Sequence, residues 1–293
     1  MLPTLQIPQR KRLPDWLRRK LPDTSAVRTH TALAENKLNT VCESALCPNR
    51  SECYARKTAT FMILGDVCTR ACGFCAIKTG RGLAVEQDEP QRVARAAREL
   101  GLKYVVVTSV ARDDLADEGA EHFAQTIRAI RLEIPDAQIE VLTPDFHARR
   151  ELIEVVVKAR PEVFNHNLET VARLQKQVRP QARYERSLEV LKLVKELDAS
   201  ISTKSGLMLG LGEEESEVLQ AAHELRLAGC DILTLGQYLP PSKDHLMLVD
   251  YKTPEYFDQL AGKAKAMGFR EVFAGPYVRS SYHAGEVFHK SVK

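Results

Sequence analysis

Six of the chain's seven cysteines fall between positions 42 and 75, in two groups of three, and this clustering constrains the chain more than any other feature. The first group is Cys42, Cys47 and Cys53, with four and five residues between its members. The second is Cys68, Cys72 and Cys75, in Cys68-Thr-Arg-Ala-Cys72-Gly-Phe-Cys75. An odd cysteine count argues against a disulfide framework, and the N-terminal sequence lacks the apolar stretch of a secretory signal. A reducing, cytoplasmic compartment is expected. Thiolates are soft ligands that select zinc, copper(I) or iron–sulfur clusters. Zinc takes four ligands, typically two Cys pairs or Cys with His. Neither group has a His between its cysteines, so zinc would need two separate, distant fourth ligands. A four-iron cluster held by three cysteines instead has one iron without a protein thiolate, open to a substrate or cofactor.

The remainder of the chain supplies a scaffold. Short apolar, β-branched runs occur at 61–64, 104–110, 139–142, 163–165, 203–209 and 232–235. Segments of helical period lie between them, at 90–100, 118–133, 148–159, 187–197 and 216–228. Strand and helix in alternation mean βαβ units and a parallel sheet. Six units predict an α/β fold with a partial (β/α)6 TIM-like barrel, whose sites lie at the C-terminal ends of its strands. A doubly wound sheet is the alternative. Residues 1–57, with Pro3, Pro8, Pro14, Pro22 and Pro48, read as an irregular N-terminal extension carrying the first triplet. Residues 58–250 form the barrel, and 251–293 a C-terminal extension with one more helix near 255–267. A net charge of +3 gives no bulk signature of a nucleic-acid binder, and no apolar run approaches the ~20 residues of a membrane span.

The second triplet follows the first predicted strand, which puts it at the barrel mouth, and Gly73 permits a turn close to a metal. C-x3-C-x2-C with Phe74 before the last Cys, in this place, resembles the radical S-adenosylmethionine superfamily. Gly206-Leu-Met-Leu-Gly210-Leu-Gly-Glu213, at a strand end, resembles that superfamily's G-x-I-x-G-x-x-E element, with Met208 in place of Ile. The first triplet narrows the resemblance. C-x4-C-x5-C ahead of the second triplet, with Arg279-Ser280-Ser281-Tyr282 near the C-terminus, is similar to lipoyl synthases. So are Pro14-Asp15-Trp16-Leu17, Asn36-Lys37-Leu38, the Thr108–Asp114 segment, Asn165-His-Asn167-Leu-Glu169-Thr170 and Gln237-Tyr238-Leu239-Pro240-Pro241. The likeness runs from about 14 to 285.

That resemblance implies two four-iron clusters and S-adenosylmethionine as cofactors. Cys68, Cys72 and Cys75 would carry the cluster that cleaves S-adenosylmethionine. Cys42, Cys47 and Cys53 would carry an auxiliary cluster that donates sulfur, with Ser281 as its fourth ligand. Cys230, flanked by apolar residues at a helix-to-strand junction, reads as buried and inert. The substrate implied is an octanoylated lipoyl-carrier protein (a glycine-cleavage H protein or an E2 lipoyl domain), with flavodoxin or ferredoxin as electron donor. Neither nucleic acid nor membrane is an expected partner. Phe74, Asn165, Asn167, Glu169, Lys204, Gly206 and Gly210 are candidate contacts to S-adenosylmethionine, although Asn167 reads equally as a helix cap and Arg112-Asp113-Asp114 as a charged cap. Other radical sulfur-inserting enzymes and an iron–sulfur electron carrier are the rival readings; the chain's length and glycine element speak against the carrier.

Overall fold

The computed structural model describes residues 12–18 and 26–292; Pro3, Pro8 and Pro22 lie outside them. The chain before the barrel is more ordered than its missing period suggests. It forms α1 (Val27–Glu35), β1 (Asn39–Thr40), α2 (Val41–Ser44) and α3 (Arg50–Ala55). The last two helices are too short to show a 3.6-residue repeat, which is why the sequence reads as irregular there. Local chemistry specifies them all the same. The Thr40 hydroxyl accepts from Glu43 N at 3.3 Å to cap α2, and Leu46 turns the chain in a left-handed conformation (φ 51°). The Thr40 and Tyr54 hydroxyls lie 2.7 Å apart and tie this unit together.

From β2 (Thr60–Ile63) onward the alternation is as the apolar pattern predicts. After β2 come two short paired strands, β3 (Val67–Cys68) and β4 (Lys78–Thr79), within the cysteine loop. Then follow α4 (Glu89–Leu100), β5 (Tyr104–Ser109), α5 (Ala120–Glu133), β6 (Gln138–Leu142), α6 (Arg150–Lys158) and β7 (Val163–Asn165). The chain continues through α7 (Gln175–Val178), α8 (Tyr184–Leu197), β8 (Ser202–Leu209), α9 (Glu215–Leu227), β9 (Ile232–Gln237), α10 (Pro254–Ala266), β10 (Glu271–Gly275) and α11 (Ala284–Ser291). In β5, Val105, Val106 and Val107 are buried because one face meets the barrel interior and the other the surrounding helices. The α4 helix buries Val93, Ala94, Ala96, Ala97 and Leu100 on one side and stops at Gly101 in the left-handed region (φ 69°).

The order of the main sheet is β1-β2-β5-β6-β7-β8-β9-β10, with every pairing from β2 onward parallel. Strands therefore follow one another around a wall without the reversal of order that defines a doubly wound sheet. The architecture is a partial barrel: β2 and β5 to β9 are the six expected strands, β10 extends them, and β1 adds an antiparallel edge. Among the described residues nothing pairs the β1–β2 edge with β10, so the wall is open there. Asn49 Nδ2 donates to Tyr277 O at 2.7 Å across the gap, and Tyr282 OH to Glu52 at 2.9 Å. The two chain ends thus meet where the barrel is incomplete.

Candidate active site

The loop after β2 carries the second triplet and is fixed by backbone contacts and one buried arginine. The Cys68 Sγ accepts from Arg70 N at 3.4 Å and Ala111 N at 3.3 Å. Cys75 N donates to Cys72 O at 3.1 Å, closing a tight turn. Gly73 serves close approach rather than a left-handed turn: a Cβ there would lie 2.9 Å from Leu246 Cγ, and its amide donates to Val178 O at 3.0 Å. Arg70 reaches out of the loop to grip Asp113, with Nη2–Oδ1 at 2.7 Å and Nε–Oδ2 at 2.9 Å, and Asp145 at 2.7 Å. Burial alone would raise the Asp145 carboxyl; the Arg70 guanidinium overrides it and holds that pKa well below the usual carboxylate range.

Both triplets face one cavity of about 350 Å³. Cys42, Cys47, Cys53, Cys68 and Cys75 line it, as do Phe74, Ser280 and Ser281. Cys72 sits beside them, half-buried, where it feels the charges of Arg179, Cys68 and Glu169. Ser281 joins the thiols because the segment after β10 folds back over the gap in the wall. That segment passes close to the strand ends: a Cβ on Gly236 would lie 2.1 Å from Val278 O, so only glycine fits.

The remaining candidates separate by depth in the barrel. Asn167 and Glu169 line the cavity. Asn167 Nδ2 donates to Ser280 Oγ at 2.6 Å and Glu169 Oε1 at 3.0 Å; its Oδ1 is buried without a partner. It caps no helix. Burial raises the Glu169 carboxyl, while Arg179 and the Asn167 amide pull the other way. Gly206 completes the floor, where a Cβ would meet Thr234 Oγ1 at 2.5 Å and Asn167 Oδ1 at 3.2 Å.

Asn165 and Lys204 lie apart from the other candidates, since neither lines the cavity. Lys204 Nζ pairs with the fully buried Glu140 at 2.9 Å, Asn165 Nδ2 donates to the same carboxylate at 3.0 Å, and Tyr104 OH at 2.7 Å. The reason is register. Asn165 pairs with Lys204, only the third residue of β8, so both sit toward the bottom of the barrel. Gly210 also stands off the lining. It is left-handed (φ 104°), a Cβ would lie 2.5 Å from Asp250 O, and its amide donates to Glu213 Oε1 at 2.6 Å. The glycine element thus closes on its own glutamate and shapes the strand end.

Of the further contributors only His245 had no signal in the sequence; Gln237, Asp113 and Asp114 stood in quoted segments, but nothing there marked the contacts they make. Gln237, fully buried, donates to the carbonyls of Leu209, Tyr238 and Asp250 and accepts from Lys252 N at 2.8 Å, clamping the loop above the cavity. His245 Nε2 lies 3.1 Å from Cys75 O. Asp113 and Asp114 pair with Arg70 and Arg112 instead of capping a helix. Cys230 is buried with its Sγ 3.2 Å from Ile232 O, away from both triplets.

The donor set fits iron–sulfur clusters better than zinc. A tetrahedral zinc with Zn–S near 2.3 Å draws its thiolates to within about 3.8 Å of one another. Among the described residues, no three of these thiols lie mutually within 4.8 Å. Burial pushes Cys42 up to about 11 and Cys75 up to about 12, so holding them as thiolates requires a strong cationic centre.

Comparison with known proteins agrees. Residues 62–225 match the radical SAM superfamily. Lipoyl synthase 2 of Gloeobacter violaceus is 55% identical over 94% of this chain and 96% of its own length. The lipoyl synthase of Rubrobacter xylanophilus is 52% identical over 97% and 89%. Among solved structures, methylornithine synthase has a TM-score of 0.56 at 11% identity, covering 73% of this chain and 63% of that one. Streptococcus suis SuiB bound to S-adenosylmethionine has a TM-score of 0.57 at 12% identity, covering 78% and 53%. At such identities these two report the fold alone, a partial barrel. With the two triplets, the Arg279–Tyr282 segment and full-length relatives at half identity in hand, the chain belongs to the lipoyl synthase family of the radical SAM superfamily.

Proposed function

We propose that this chain inserts sulfur at C6 and C8 of an octanoyl group amide-linked to a lysine of a lipoyl-carrier protein. In this reading Cys68, Cys72 and Cys75 would hold one four-iron cluster, which would cleave S-adenosylmethionine. Cys42, Cys47 and Cys53 hold the other, with Ser281 as fourth ligand. When bound, these groups supply a 5′-deoxyadenosyl radical and the sulfur atoms, chemistry that no side chain can provide at an unactivated carbon. The observation that carries the reading is the single cavity lined by five of the six triplet cysteines and by Ser281.

The chain's own residues do the rest. Met62, Val110, Leu142, Met208 and Val278 give the cavity an apolar wall that suits an acyl chain and excludes water from a reactive intermediate. Asn167 and Glu169 present polar groups at the strand ends, and Gly206 leaves a surface bare of side chains where a flat cofactor can lie close. Phe74 packs beside Cys75 on the same wall. A serine oxygen is a harder donor than thiolate and matches iron–sulfide poorly, which suits a ligand that must let go when the cluster is spent. We divide the roles along the chain: 1–57 and 251–293 build the sulfur-donor site, and 58–250 the radical-generating barrel.

The carrier is an H protein or E2 lipoyl domain, the reductant a flavodoxin or ferredoxin, and the compartment cytoplasmic. No helix among the described residues is long and apolar enough to cross a membrane. The test is anaerobic turnover of an octanoylated carrier, followed by mass spectrometry. Lipoyl product in step with 5′-deoxyadenosine supports the reading; 5′-deoxyadenosine without sulfur in the carrier would point to another substrate. Ser281→Ala should keep cofactor cleavage but lose lipoyl formation, and Ser281→Cys should hold the cluster and impair its loss. Wild-type product rates in Ser281→Ala would remove Ser281 from the ligand set.

A further inference from the structure

The first-triplet site has a second face. Cys42, Cys53, Thr60 and Ser281 line the large cavity, and the same four residues line another cavity of about 170 Å³ on their far side. Tyr104 and Val106 of β5 form its inner wall, and α3 and the start of α11 form its rim. At that rim the side chains of Arg56 and Glu286 are 56% and 66% exposed and lie 3.5 Å apart. Cys42 and Cys53 therefore border both cavities. The second triplet differs: Cys68 and Cys75 line only the large cavity.

The cause is topological. The barrel wall is open between β2 and β10, and the gap is filled by α3 and the tail. Their cross-ties at the rim are polar side-chain contacts: Arg56 with Glu286, and His283 with Glu52 at 3.5 Å. The Arg56–Glu286 pair is exposed and contributes little stability, whereas His283 and Glu52 are part-buried and Tyr282 OH adds a bond to Glu52 at 2.9 Å, so opening is local, at the Arg56–Glu286 edge. The rim also offers carboxylate oxygens and an imidazole, donors that bind ferrous iron more weakly than thiolates do and release it readily.

We propose that this second cavity is the route by which iron and sulfide leave the first-triplet site while the acyl substrate fills the large cavity. The inference rests on the reading that the first triplet holds a cluster consumed in turnover. Iron passes as the ferrous ion and sulfide as hydrosulfide, with no electron transferred in the passage. A site whose front is blocked by its substrate can then be emptied from behind.

The test uses the anaerobic holoprotein with S-adenosylmethionine bound to cover the second-triplet iron. Iron loss to a small ferrous chelator is followed by absorbance, with and without a saturating octanoyl-lysyl peptide whose binding is measured separately by anisotropy. In the wild type the bound peptide should leave the rate of iron loss nearly unchanged. Glu286→Trp fills the rim, and with peptide bound it should slow iron loss by about tenfold or more, the factor set by even a modest local opening. Without peptide the same variant should lose iron at the wild-type rate, and Glu286→Ala should behave as wild type throughout. If Glu286→Trp does not load iron, Arg56→Trp fills the same rim from α3. Full protection of the wild type by peptide, or no slowing in the filled variants, overturns the inference. A wild type that binds only second-triplet iron, or no peptide, sinks the underlying reading instead.

Discussion

The two cysteine triplets lie in one cavity but are held by different physics. The second is mounted on the barrel: its loop leaves β2, hydrogen-bonds to the β5 loop through Ala111 N, and is locked by Arg70 to Asp113 and to Asp145, which has no solvent exposure. The first is mounted between chain ends. Its two short helices meet the tail through the buried Asn49, the part-buried Glu52, Tyr282 and His283, and the exposed Arg56, with side-chain hydrogen bonds and ion pairs in place of a strand pairing. A site that only exchanges electrons with its cofactor gains from a rigid, desolvated mount. A site that must be dismantled and rebuilt gains from a mount that opens. The difference implies that damage to the Arg70 web is global and costly, whereas damage to the tail is local and selective.

The largest effect is expected at Arg70. Arg70→Met leaves Asp145 buried with only Arg186, at 3.3 Å, for charge compensation. Removing one partner of such a buried pair costs about 3–5 kcal/mol. Chemical denaturation should register the loss, and 5′-deoxyadenosine formation should fall to background. A stability change below 1 kcal/mol would mean that the second mount is no more rigid than the first.

Acid should probe the same web. His166 lies in the barrel with its ring nitrogens 2.9 Å from Thr143 O and 3.0 Å from Ser187 Oγ. Burial, with the nearby Arg179 charge, pushes its pKa down to about 4. The folded state therefore binds this proton later than the unfolded chain, whose value is 6.5. Stability is retained above pH 6.5 and is lost progressively as pH falls from 6.5 toward 4, by roughly 2–3 kcal/mol. The depressed Asp145 carboxyl acts in the same direction at lower pH. His166→Gln should flatten the slope between pH 6.5 and 4 in denaturation curves; an unchanged slope would remove His166 from the account.

How much of this was legible beforehand follows from the kind of signal. The strands announced themselves as β-branched apolar runs, and β7 spans 163–165 as the sequence implies. The thiols announced themselves by spacing. The Arg70–Asp113–Asp145 web did not, because nothing local marks an arginine whose partners lie 43 and 75 residues away. The depth of Lys204 and Asn165 in the barrel was not legible for a related reason. Polarity near a strand end suggests a site, but only the register tells the top of a barrel from its bottom, and it places both beside Glu140. Asn167 and Glu169 sit higher because Glu169 bridges to Leu207, further along β8. The short helices α2 and α3 were invisible to periodicity, and the tail's return over the gap is specified by a missing side chain, Gly236.

That glycine gives a smaller, more selective prediction. Gly236→Ala forces a methyl onto Val278 O and should shift the tail at a cost of about 1–3 kcal/mol. Iron at the first triplet should decline while cofactor cleavage survives. Loss of both functions together would show that the tail supports the whole cavity. Smaller still is Tyr282→Phe, which removes one hydrogen bond to Glu52 and should cost about 1 kcal/mol or less. Its signature is faster iron loss from the first triplet alone, seen by chelator kinetics.

The division of labour between the triplets is tested most directly by one paired measurement. Anaerobic iron and sulfide content and 5′-deoxyadenosine yield are determined for Cys42→Ala/Cys47→Ala/Cys53→Ala and for Cys68→Ala/Cys72→Ala/Cys75→Ala, beside a wild type that should bind about eight irons. Each triple variant should retain about half the wild-type iron. Only the first should still cleave S-adenosylmethionine, and neither should make lipoyl product. Loss of all iron in either variant, or equal loss of cleavage in both, would contradict two separate clusters with separate roles.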